Sequence, residues 1–182
     1  ARVPLPLKEV DEVRQDAEGL LPVLGRFNEA IKRLNDRLEQ VPDDVDARLQ
    51  RCMLYSRTGQ YTRAGSDIEV LGKSALADFG QFYMLFWQED MDGARTYREK
   101  LLASQDLRLR FKFRCCALLD EYEEAIRYMD ESADRGAPLF YVRALVSNAL
   151  PGKRLAAFES SPGFESFLAQ RGVDDAWPAE LA

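Results

Sequence analysis

The chain has 182 residues, 46% of them apolar, and its 31 acidic and 25 basic side chains give a formal charge of −6. That length buries one core or one short array of repeats, and the acidic balance denies it the surplus of Lys and Arg on which general nucleic-acid binding depends. It contains no histidine, which excludes nucleophilic triads built on an imidazole base and removes the commonest nitrogen ligand of metals.

The chain opens at Ala1, not Met, and reads as an excised segment of a longer protein. Residues 1–7, with Pro4 and Pro6, read as an extended lead-in, and Lys8 to Glu18 as a helix broken by Gly19 and Pro22. Then Gly25-Arg-Phe27-Asn-Glu-Ala30 returns 34 residues later as Gly59-Gln-Tyr61-Thr-Arg-Ala64, with glycine, aromatic and alanine at the same spacing. A third copy, Asp90-Met91-Asp-Gly-Ala94, and a fourth, Glu121-Tyr122-Glu-Glu-Ala125, place the alanines at 30, 64, 94 and 125, that is, 34, 30 and 31 apart. Gly59 can adopt the left-handed conformation that stops a helix, and Ala64 leaves room for a neighbouring helix to approach.

Pro42, followed by Asp43-Asp44, ends the helix carried by Ala30, Leu34 and Leu38, because proline cannot donate into a continuing ladder. A new helix starts near Val45, with Ala47, Cys52, Leu54 and Tyr55 as its apolar stripe and Ile68 and Leu71 continuing it in the partner helix. The fragment Gly72-Lys73-Ser74 lacks the earlier glycine of a phosphate-binding loop, since Asp67 stands there, and reads as a connection between repeats. Phe79, Phe82, Tyr83, Phe86 and Trp87 make an aromatic stripe that reads mainly as core, with Tyr83 and Trp87 as candidate anchors for a partner. No apolar stretch reaches the roughly 20 residues of a membrane span.

From Leu107 to Arg114 basic and apolar residues alternate, the period of a strand, but the repeat phase demands a helix, on which Arg110 and Arg114 share a face. Cys115 and Cys116 follow on that helix and read as small buried hydrophobes; with Cys52 they make an odd number that draws no disulfide framework and favours a reducing compartment. The acidic pairs Asp43/Asp44, Glu123/Glu124 and Asp174/Asp175 read as helix starts and tail, not as acid–base pairs. Beyond Gly136 the sequence predicts a helix over Leu139 to Leu150 and another opened by Pro162, capped by Ser161 and closed by Gly172.

The glycine–aromatic–alanine spacing resembles the tetratricopeptide repeat over residues 20 to 136. The resemblance implies an all-α, TPR-like α-solenoid of antiparallel helix pairs in a single domain, 1–182. About four repeats would occupy 8–136, terminal helices including a C-terminal capping helix 137–173, and a tail 174–182. It places Leu49, Gln50, Met53 and Arg57, with Asp46 and Ser56, on the groove face of repeat two, and Arg110 and Arg114, with Phe111 between them, on that of repeat four. The repeat-two residues do not match the Lys and Asn clamp of repeat proteins that hold the C-terminal carboxylates of chaperones.

The segment 161–173 is similar to the close of repeat domains in bacterial signalling proteins that carry a winged-helix DNA-binding domain or a nucleotide cyclase domain. Pro162, Phe164, Phe167, Leu168, Gly172 and Val173 match that pattern, while Ser161 and Gly163 stand where Asp and Arg are usual. The resemblance implies a non-catalytic, protein- or peptide-binding or sensory module of a bacterial signalling or transcription-regulating protein, acting through the concave face of the superhelix. The alternative is a stand-alone adaptor or chaperone-like scaffold in assembly or secretion. No catalytic residue, cofactor or metal is expected, and no direct contact with nucleic acid or membrane. The partners expected are a protein or an acidic peptide, or a second copy of the chain. The compartment expected is the cytoplasm, with the periplasm as the alternative for the sensor end of a membrane-anchored regulator.

Overall fold

The computed structural model describes residues 25–136, 150 and 153–171, among which there are nine helices and no strand. The helices are α1 (Phe27–Gln40), α2 (Val45–Arg57), α3 (Tyr61–Leu71), α4 (Ala75–Trp87), α5 (Met91–Ala103), α6 (Leu109–Leu118), α7 (Tyr122–Asp134), α8 (Lys153–Glu159) and α9 (Pro162–Gln170). The expected lead-in, the helix over 8–18, the helix from Leu139 and the tail with Asp174 and Asp175 lie outside the described residues. The chain divides into two compact units, 1–99 and 100–182, with the boundary inside α5.

A single turn recurs along the chain. Gly25, Gly59, Glu89 and Asp120 have φ of 71°, 72°, 63° and 62°, and each stands five residues before one of Ala30, Ala64, Ala94 and Ala125. After the last three of these residues the next N–H reaches back to the carbonyl five residues earlier: Gln60 to Tyr55 at 2.8 Å, Asp90 to Leu85 at 3.0 Å and Glu121 to Cys116 at 2.9 Å. That bond satisfies carbonyls a helix end leaves without partners. Glycine enters the left-handed region without a Cβ penalty, so Gly59 suits the turn, whereas Glu89 and Asp120 adopt it at a cost. The four alanines are buried to 3% exposure or less, as a close helix crossing requires.

In the first unit Ile31, Leu34 and Leu38 of α1 pack with Ala47, Cys52, Leu54 and Tyr55 of α2 and Ala64 of α3. Asp44 starts α2 by accepting the Ala47 N–H at 2.8 Å, and Ser74 starts α4 by accepting that of Ala77 at 3.1 Å. α4 also packs on α2 and α3. A Cβ at Gly80 would lie 3.1 Å from Ile68 Cγ1 and 3.3 Å from Cys52 Sγ, so the missing side chain sets how closely α4 approaches.

In the second unit α6 and α7 pack against each other, and Phe113, Cys115, Cys116, Ala117 and Leu118 of α6 and Ala125, Ile126 and Met129 of α7 are all buried. The Leu107–Arg114 stretch is therefore helical from Leu109, and the helix buries both Phe111 and Phe113 together with the cysteines that follow. Phe158 of α8 meets Phe113 and Tyr122 edge-on at 5.8 and 5.5 Å and Phe164 of α9 at 5.1 Å. Pro162 is the first residue of α9, but Ser161 does not cap it: its hydroxyl turns back and donates to the Phe158 carbonyl at 2.7 Å. Arg171 closes α9 onto α7 through the Asp130 and Asp134 carboxylates at 2.8 and 2.6 Å.

Candidate functional site

The candidate positions on α2 and α6 divide into core and surface. Leu49 is 2% exposed and Phe111 5%, so both belong to the interior; Ser56 is buried and donates to the Cys52 carbonyl at 2.9 Å. Gln50 is exposed, and Met53, Arg57, Arg110 and Arg114 are half-buried. The Arg110 guanidinium lies 4.8 Å from the centre of the Phe111 ring. Its sequence neighbours Arg108 and Lys112 line a depression of about 440 Å3 with Arg135, Asp106, Glu131 and Tyr128. Of the acids that follow the basic helix, Asp120 pairs with Arg154 and Glu124 with Arg127.

The structure brings three of the candidates together at the end of the first unit where α2 and α4 finish. Arg57, in the last turn of α2, has its guanidinium carbon 4.9 Å from the centre of the Phe27 ring and 5.6 Å from that of Trp87. Trp87 in turn lies 6.2 Å from Tyr83 and meets Phe86 edge-on at 5.6 Å. Tyr61 fixes the last turn of α4 by donating its hydroxyl to the Trp87 carbonyl at 2.6 Å. Tyr83, at 2% exposure, is core; Trp87 stays half-buried. The stripe therefore fills the interior through Phe79, Phe82, Tyr83 and Phe86 and shows only its last ring to the surface.

How Arg57 is held differs from its neighbours. Arg51 engages both Asp67 oxygens, at 2.9 and 2.6 Å, and Asn35 at 2.8 Å. Arg48 adds a longer contact to Asp67 at 3.4 Å and a bond to the Pro42 carbonyl, and Arg37 holds Asp44 at 2.7 Å. Asp67 is 2% exposed, and a carboxylate so deep persists because two guanidinium groups compensate it. The hydrogen bond to Asp67 raises the pKa of Arg51 above its ordinary value. Burial pushes the Cys52 thiol up to about 12, and the Asp67 charge adds to the shift. Arg57 makes no hydrogen bond or ion pair among the described residues; two aromatic rings are its contacts. The Trp87 indole nitrogen, buried in the same cluster, also lacks an acceptor among the described residues.

Sequence reasoning missed the Asp67 network, because its members lie 16 to 19 residues apart on different helices. It also missed Phe27 as a partner of Arg57. The two contacts are alike: Phe27, which opens α1, meets the final turn of α2, and Tyr61, which opens α3, meets the final turn of α4. Among the described residues no group of three His, Cys, Asp or Glu could hold a metal ion, and no helix is long and apolar enough to cross a membrane. No protein-family model, no curated protein and no solved structure matches this chain.

Proposed function

We propose that this chain is a tetratricopeptide-type α-solenoid, a non-catalytic module that binds a protein or peptide, and that it forms the regulatory end of a bacterial signalling protein. The observation that carries the reading is the recurrence of one turn and one buried alanine at Gly25/Ala30, Gly59/Ala64, Glu89/Ala94 and Asp120/Ala125. A two-helix unit of this kind cannot bury its apolar faces alone; stacking the units completes the core and leaves an extended surface suited to polypeptide partners. The signalling assignment draws its support from residues 161–171, where Phe164 and Phe167, two of the residues that match the ending of such repeat domains, are buried.

Selection of peptides from a displayed random library against the full chain, followed by amide hydrogen exchange, tests the binding. Bound peptides are expected to slow exchange in α2 and α4; a selection that yields no saturable binder would overturn the reading. The coding sequence upstream of Ala1 tests the signalling half. A winged-helix or cyclase domain there supports it, and a start codon adjoining Ala1 overturns it.

A further inference from the structure

We infer that Arg57 is the carboxylate reader of this module: the guanidinium held between Phe27 and Trp87 receives an acidic side chain of the bound peptide. The inference rests on the peptide-binding reading above and names the chemistry of its ligand.

The argument is a contrast among arginines of one unit. A guanidinium that serves only the fold spends its N–H donors on the protein, as Arg51 does on Asp67 and Asn35 and Arg37 does on Asp44. Arg57 is placed instead against rings from α1 and α4, and aromatic faces attract its charge without accepting in-line hydrogen bonds. Its planar fork is therefore oriented in advance while its donors remain for a ligand, and the group such a fork fits is a carboxylate, held by two parallel bonds. Ordering an arginine before binding removes much of the entropy cost of engaging it. The neighbouring Trp87 indole nitrogen is buried and also without an acceptor among the described residues. With a formal charge of −6 on the chain, an acidic segment gains electrostatic attraction only at a local cation of this kind.

The chain's two tryptophans permit a direct test, because Trp177→Phe leaves Trp87 as the only indole reporter. The full chain carrying that change is titrated with a pool of acetylated, amidated nonapeptides, Glu at the centre and Ala, Leu, Ser or Gly elsewhere, and with the matching pool that has Gln at the centre. The Glu pool is expected to shift Trp87 emission at a concentration about tenfold lower than the Gln pool, as a charge-assisted pair warrants. Arg57→Gln should abolish that preference with helical content unchanged, and Arg57→Lys should keep part of it, since Lys supplies charge without the fork. Equal response to both pools, or a preference that survives Arg57→Gln, overturns the assignment of Arg57 and leaves the peptide-binding reading standing. Displacement of the Glu pool by an equal concentration of inorganic phosphate makes the site a general anion site and overturns its peptide specificity. Silence with both pools removes the peptide-binding reading and this inference together.

Discussion

Between α2 and α3 the first unit buries a charged network, Asp67 clasped by Arg51 and Arg48, whereas the second unit joins α6 through α9 with rings, Phe113, Tyr122, Phe158, Phe164 and Phe167. Both carry the same turn and the same buried alanine. The difference teaches that the turn and the crossing residue set the path of the chain, while the material between helices is free to be ionic or aromatic. The two choices respond differently to damage. A ring removed leaves a void, and a carboxylate removed leaves two guanidinium groups partly out of water without their opposite charge.

Truncating the centre of the aromatic group is the strongest way to probe the second unit. Phe158→Ala should lower unfolding free energy by about 4 kcal/mol in urea titrations, because the ring is fully buried and touches three others. In the first unit Asp67→Ala should cost about 3 kcal/mol, and Met in place of both Arg48 and Arg51 should return most of it, since paired removal relieves the desolvated charge. A loss equal in size with and without the two Met changes would show that the network works as packing, and would break the contrast.

The third test uses pH. The Cys52 thiol is raised from 9.0 to about 12 in the folded chain, so the unfolded chain releases its proton first. The stabilisation is then complete below pH 9 and is lost as the pH rises from there towards 12, at about 1.4 kcal/mol per pH unit. Denaturant midpoints measured across that window should fall more steeply for the native sequence than for Cys52→Ala. Parallel slopes would mean that the thiol is not held neutral by its surroundings.

The smallest expected effects sharpen what the units share. Glu89→Gly should stabilise the chain by about 1 kcal/mol by removing a left-handed non-glycine residue. Asp120→Gly should gain less, because its carboxylate accepts from the Tyr122 hydroxyl at 2.9 Å and pairs with Arg154. Thermal melts of the two variants side by side check the order; a larger gain at 120 would show that those contacts contribute nothing.

Much of the path of the chain was legible in the residues. Pro42 announced the end of α1, Gly59 its left-handed turn, and the alanines at 30, 64, 94 and 125 the crossings. Local chemistry decides each of these within a few residues, which is why a sequence reveals them. The sequence offers Arg57 and Trp87 as separate candidates, one for a groove and one for an anchor. Nothing local said that they would meet, because 30 residues separate them in the chain.

The sequence by itself determined that small alanines recur at helix crossings, that the cysteines are packing residues, and that the basic stretch before Cys115 is helical, since each follows from spacing and side-chain size. Only the tertiary structure decided that Leu49 and Phe111 turn inward, that Asp67 is buried beneath two arginines, and that Ser161 donates backwards instead of capping α9. It alone decided that Arg57 stands between Phe27 and Trp87. A charge finds its partner through space, and which guanidinium receives a carboxylate and which receives two rings depends on how α1, α2, α3 and α4 close on one another.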